Sequence, residues 1–166
     1  MGAGKTAIGR ELARLLARDF FDSDQEIQRR TGVDIALIFD KEGEAGFRRR
    51  ERQIIEELTR RENIVLATGG GAVLDPANRE YLRSRGCVIY LKASISAQAN
   101  RTGRGQQRPL LETSDRETRL RELFAAREPL YEDIAQITVS TDQGRVKTLA
   151  RQILAELGES ATIRAG

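Results

Sequence analysis

Apolar positions change their period several times along the chain, and each change marks an element. Ile8, Leu12, Leu15 and Leu16 recur at helical spacing, predicting an amphipathic helix directly after residue 4. Phe20-Phe21 is a short apolar run that ends in Asp22-Ser23-Asp24, so this strand closes on two carboxylates. From about Asp24 to Arg61 the pattern is mainly helical, with breaks near Thr31-Gly32 and Glu42-Gly43. Asn63 to Thr68 reads as a buried strand and runs at once into Gly69-Gly70-Gly71. Asp75-Pro76 offers a cap and a first-turn proline for a helix toward Arg85. Val88 to Leu91 is the next strand, with Cys87 read as buried filler beside it, and Ser94 can open another helix.

The segment from Thr102 to Pro109 is Gly-rich, polar and basic, and reads as a mobile loop between helices. Ser114 or Asp115 can cap a helix through Ala126, after which Pro129 punctuates a turn. Gln136 to Ser140 makes a last strand. Val146, Leu149, Ile153 and Leu157 mark a closing amphipathic helix, and the tail from Gly158 onward carries no pattern and is expected to fray. Strands alternating with helices predict an α/β fold with a parallel sheet, and 166 residues suit one domain.

Composition narrows the chemistry. There is no histidine and one cysteine, which removes imidazole acid–base catalysis, Ser-His triads, intrachain disulfides and thiolate metal clusters. A general base must therefore be a carboxylate or another non-imidazole group. The net charge of +3 and the sparse aromatics, 5% of residues, do not make the basic, stacking stripe of a nucleic-acid surface; small anionic ligands fit better. No apolar run reaches membrane-spanning length and no signal peptide is visible, so a cytoplasmic setting is the expectation.

Gly2-Ala3-Gly4-Lys5-Thr6, ahead of a helix, is the back half of a phosphate-binding loop. Its N–H groups and the helix end would hold phosphates, Lys5 would reach the transferring phosphate, and the Thr6 hydroxyl would face Mg²⁺. The first glycine of the full pattern would precede Met1, as would the central strand from which such a loop hangs. The expectation is that upstream coding sequence supplies an apolar run ending in Gly-x, because a gap would leave two strands with unpaired edges. Alternation would point Asp22 and Asp24 the same way if the extended geometry persists. Gly69-Gly70-Gly71 calls for a tight turn or the close approach of a ligand, and its N–H groups could bind an anion. Arg48 and Glu51 are three apart on a helix and can meet, holding Arg48 for bidentate recognition of a carboxylate.

Taken in order, Gly-Ala-Gly-Lys-Thr at 2–6, Asp-Ser-Asp at 22–24, Phe-Arg-x-x-Glu at 47–51, Gly-Gly-Gly at 69–71, Arg-Pro-Leu-Leu at 108–111 and Arg-Glu-Pro-Leu-Tyr at 127–131 resemble the shikimate kinase family. The likeness extends from Met1 to about Leu157. It implies a single three-layer P-loop kinase domain over 1–157, with a substrate-binding insert near 23–61, a lid near 102–115 and a disordered tail at 158–166. It implies transfer of the γ-phosphoryl group of ATP to the 3-hydroxyl of shikimate by a monomer, with Mg²⁺. Asp24 would orient or deprotonate the acceptor, beside Lys5 and Arg108 as catalytic groups. Gly2, Ala3, Gly4, Lys5, Thr6, Arg101 and Arg108 would bind ATP. Thr6 would contact the metal directly and Asp22 would do so through water. Arg48, Gly69, Gly70, Gly71 and Arg127 would hold shikimate with Asp24. A gluconate-kinase-like enzyme and a non-catalytic ligand-binding module of the same fold are the alternatives.

Overall fold

The computed structural model describes residues 3–94 and 116–164. Helix α1 (Lys5–Leu16) starts from Gly4, whose φ of 80° is a left-handed conformation that glycine adopts freely. Strand β1 (Asp19–Asp22) follows, then α2 (Ser23–Thr31) and α3 (Ile35–Leu58). The predicted breaks are real: Gly32 caps α2 with φ 73°, and Gly43 interrupts α3 with φ 67° and ψ −177°. Strand β2 (Ile64–Ala67), a 3₁₀ turn (Ala72–Leu74), α4 (Pro76–Arg85) and β3 (Ile89–Lys92) come next. Helix α5 (Arg116–Ile134), β4 (Ile137–Ser140) and α6 (Val146–Arg164) complete the described chain.

The strands form two parallel pairs, β1 with β2 and β3 with β4. Along β2 the side chains alternate between two cores, as strand geometry requires. Val65 joins Ile8, Leu12, Val139, Leu149 and Ile153, the layer built by α1 and α6, which Ile89 and Leu91 of β3 also reach. Ile64 and Leu66 join Ile27, Ile38, Phe47, Ile54 and Leu58, the layer built by α2 and α3. Helices therefore cover both faces, giving the α/β arrangement that the pattern predicts in the three layers that the resemblance implies.

Between the two strand pairs runs a cleft of about 630 Å³, lined by Ile64, Val65 and Leu66 of β2 and by Val88, Ile89 and Leu91. Among the described residues each of β2 and β3 is paired on one side only, and both strands border this cleft.

Several local expectations are corrected. Cys87 is exposed, because β3 begins two residues later and the cysteine belongs to the turn after α4. Pro129 does not end its helix. α5 continues through it to Ile134, although proline leaves the carbonyl four residues back without its donor. The turns beyond the proline are held by tertiary contacts: Ile134 is buried and the Tyr131 hydroxyl donates to the Gly70 carbonyl. Val146 is exposed, while Leu149 and Ile153 are buried as expected. The unpatterned tail continues α6 as far as Arg164. The lid segment and the helix proposed from Ser94 lie outside the described residues.

Helix α2 is anchored to α3 by charge. Arg30 donates to Glu26 at 2.7 Å and forks onto both oxygens of Glu57, each at 2.7 Å. Arg29 grips Glu26 as well, and these hydrogen bonds, Arg29 foremost, hold the Glu26 carboxyl down to about 2 against burial. A carboxylate lowered in the folded state stabilises above its unfolded pKa and loses that contribution as pH falls through the folded value. Acid titration of the folded protein should therefore show a loss of stability between about pH 4.5 and 2, on the order of 1 kcal/mol from this group because solvent screens its exposed Arg29 partner. Chemical denaturation across that range checks it: Glu26→Gln should flatten the slope, and an unchanged slope would contradict the assignment.

Candidate active site

Three features converge at the carboxyl ends of β1 and β2. At one side stands the phosphate loop, with Ala3 buried, Gly4 as the helix N-cap and Lys5 opening α1. Here Thr6 Oγ1 donates to Asp22 Oδ2 at 2.9 Å. Asp22 Oδ1 accepts the backbone N–H groups of Asp24 and Gln25 at 3.0 and 3.4 Å, so the same carboxylate caps α2. Strand geometry ends at Asp22 and Ser23 is already helical, so the two aspartates do not face the same way. Asp22 turns to Thr6, and Asp24 turns to Gly69.

Around the glycine triplet, polar side chains crowd against bare backbone. A Cβ on Gly69 would sit 2.8 Å from Asp24 Oδ1 and 2.8 Å from Glu51 Oε1. One on Gly71 would sit 2.6 Å from the Arg48 Cζ. Neither glycine has positive φ, so close approach, and not turn conformation, is what demands glycine here. The Gly69 N–H does not await a ligand: it donates to Ser23 Oγ at 3.1 Å, and Ser23 is fully buried. The turn is braced from behind, where Asn78 Nδ2 donates to the Ala72 carbonyl at 3.0 Å and Arg79 donates to that of Val73 at 2.6 Å.

Arg48 and Glu51 meet at 2.6 Å, with Glu51 wholly enclosed and Glu44 closing on Arg48 from the outer side at 3.0 Å. Burial pushes the Glu51 carboxyl above its ordinary value, with Asp24 adding to the rise and Arg48 opposing it. Burial also penalises the Arg48 charge, but Glu51 and Glu44 outweigh it and the guanidinium pKa is raised. Arg127 of α5 is 6% exposed. Its Nε and the Glu51 Oε1 are sealed from solvent with no hydrogen-bond partner among the described residues. Buried polar atoms in that condition, beside a cleft, call for a ligand or ordered water. The cleft itself is lined by Lys5, Gly69, Gly70 and Arg127.

The structure thus brings together Ala3, Gly4, Lys5, Thr6, Asp22, Asp24, Arg48, Gly69, Gly70, Gly71 and Arg127. Gly2, Arg101 and Arg108 lie outside the described residues. Ser23 and Tyr131 escaped the reading of the sequence. Ser23, between two aspartates, reads as part of a cap, whereas Tyr131 stands four residues after Arg127 on one helix face, a signal that was available. Among the described residues no three His, Cys, Asp or Glu side chains cluster as a metal cage. The Thr6 hydroxyl and Asp22 carboxylate nevertheless form an oxygen-only pair of the kind Mg²⁺ uses alongside phosphate oxygens.

A parallel α/β domain with a phosphate loop at the sheet rim and an acidic and cationic pocket beside it defines a P-loop kinase of a small anionic acceptor. The family model described as shikimate kinase matches residues 1–158, and the chain belongs to the shikimate kinase family. The shikimate kinase of Acinetobacter baylyi is 54% identical over 154 residues, 93% of this chain and 86% of that protein. That of Pasteurella multocida is 56% identical over 155 residues, covering 93% and 89%. Among solved structures, shikimate kinase from Acinetobacter baumannii in complex with shikimate superposes with a TM-score of 0.94 at 50% identity, covering 96% of this chain and 89% of that one.

Gly71→Ala should drive the Arg48 guanidinium away from Glu51. With overpacking costing about 1–3 kcal/mol, the thermal midpoint should fall by roughly 3–10 °C. A midpoint equal to that of the parent chain would mean that Arg48 swings aside freely and that the close approach is not enforced.

Proposed function

We propose that this chain transfers the γ-phosphoryl group of ATP to the 3-hydroxyl of shikimate, releasing ADP and shikimate 3-phosphate. The observation that carries the reading is the shared sheet rim. Thr6 and Asp22 lie on its nucleotide side, and Asp24, Arg48 and Arg127 surround the glycine triplet on its acceptor side. Nothing here requires a histidine, because phosphoryl transfer rests on positioning and on neutralising spread negative charge.

Each residue then has a task. Backbone N–H groups from Ala3 to Thr6 cradle the phosphates at the start of α1, and Lys5 neutralises the moving group. Bound Mg²⁺ would supply charge neutralisation between the β- and γ-phosphates. Thr6 would be its direct protein ligand, and Asp22, which already accepts the Thr6 hydroxyl, would hold its water shell. Asp24, fixed in the first turn of α2, orients the acceptor hydroxyl and accepts its proton. Arg48, held by Glu51, and Arg127 grip the shikimate carboxylate with the triplet turn, so an uncharged ring would leave buried cations unpaired. Arg101 and Arg108 keep the nucleotide roles implied by the resemblance, and the protein acts as a monomer.

Coupled-assay measurement of ADP from ATP should show release only when shikimate is supplied; equal release without it, or with gluconate in its place, would overturn the reading. Asp24→Asn should lower kcat by about 10²–10⁴-fold while the ATP KM stays near that of the parent. Near-normal turnover would remove Asp24 from the acceptor role. Arg127→Ala should raise the shikimate KM by roughly 10²-fold, and a change confined to the ATP KM would remove Arg127 from the clamp.

A further inference from the structure

We infer that Tyr131 is the positioning residue of the anion clamp, fixing Arg127 and the glycine triplet in one another's reach. The inference deepens the proposed function and rests on that reading of the acceptor site.

Arg127 and Tyr131 are four apart on α5 and so lie on one face, one turn from each other. The Tyr131 hydroxyl donates to the Gly70 carbonyl across 61 residues of sequence. Burial pushes the pKa of this phenol up, and the positive charge of the neighbouring Arg127 opposes that rise. The phenol hydroxyl thus ties the helix that carries Arg127 to the glycine turn, one helical turn from that residue. The ring is set by a second contact, stacking on Tyr90 of β3 with centroids 4.9 Å apart and planes 21° apart. Tyr90 is itself buried.

Two consequences follow for the clamp. A trans peptide points its C=O and its next N–H in opposite directions. Holding the Gly70 carbonyl therefore also sets the direction of the Gly71 N–H, in a triplet with no side chains to hold it. Arg127, on the helix face that this hydroxyl fastens to the turn, presents a planar guanidinium fork whose buried Nε has no partner among the described residues. Tyr131 touches neither the reacting hydroxyl nor the phosphates in this account; it acts through Arg127 and Gly70.

Tyr131→Phe keeps the ring and its stacking and removes only the hydroxyl. Shikimate binding in the absence of nucleotide, read by calorimetry, should weaken about tenfold. In turnover the shikimate KM should rise by a similar factor, with kcat within about threefold and the ATP KM unchanged. The methyl ester of shikimate, which lacks the anion, should bind parent and variant alike. The double variant with Arg127→Ala should be no worse than Arg127→Ala alone. Equal affinity of parent and Tyr131→Phe for shikimate would overturn the inference. So would parallel losses for acid and ester, or additive losses in the double variant, because these mark general loosening of the fold. If the parent chain binds no shikimate, the proposed function fails, and this inference falls with it.

Discussion

A carboxylate with no access to water sits beneath the acceptor site, and much of the surrounding geometry answers to it. Taking Glu51 out of solvent is costly, and the 2.6 Å contact with Arg48 offsets that cost only while both partners stay in place. Removing one member of such a pair costs about 3–5 kcal/mol, since the other is left charged and enclosed. The pair therefore fixes Arg48, Arg48 occupies the space in front of Gly71, and Glu51 with Asp24 occupies the space in front of Gly69. Glycine at 69 and 71 is thus a consequence of the charges packed against the turn. A charge cluster of this kind gains little as a contribution to stability; its use is to hold cations rigid where an anionic ligand can be read.

The second constraint is the sheet. Among the described residues β2 and β3 each pair along one edge, and helix α1 packs beneath both through Leu12 and its neighbours. The phosphate loop lies at the mouth of the cleft between the two strands, with Ala3 and Lys5 in its wall. The loop and both inner strands therefore share one cavity wall, which places Lys5 and the Gly69-Gly70 turn around the same space.

Much of this was legible beforehand, and the reasons differ by residue. The strand-to-glycine junction at Ala67 to Gly71 announced itself because a run of β-branched and aliphatic residues meets a triplet that no regular element would choose. The breaks at Gly32 and Gly43 were legible because glycine supplies the positive φ that ends or bends a helix. Arg48 and Glu51 were legible from spacing alone. What stayed hidden depends on tertiary contact. Pro129 predicts a break by local rules, and the anchoring of Tyr131 and Ile134 overrides them. Asp22 and Asp24 diverge because the strand ends at Asp22, two residues earlier than alternation through Asp24 assumes. No pattern shows that Ser23 is bonded to the Gly69 N–H, 46 residues away.

Helix α5 joins these threads. It follows the segment at 102–115 that the resemblance makes a lid, and it carries Arg127 and Tyr131 into the acceptor site. Lys92 of β3 pairs with Glu128 at 2.6 Å and Glu132 at 3.2 Å, so the same helix is tied to the second strand pair through the residue next to Arg127. Its contacts thus reach the glycine turn after β2 on one side and β3 on the other, spanning the cleft between the strand pairs. A cation presented from such a helix is positioned relative to both halves of the sheet at once. An arginine on a free loop would have to be ordered by the ligand itself, spending binding free energy on conformational entropy. Pre-setting Arg127 on a helix fastened at Gly70, Tyr90 and Lys92 removes that cost. It leaves more of the carboxylate's interaction to discriminate charged from uncharged acceptors.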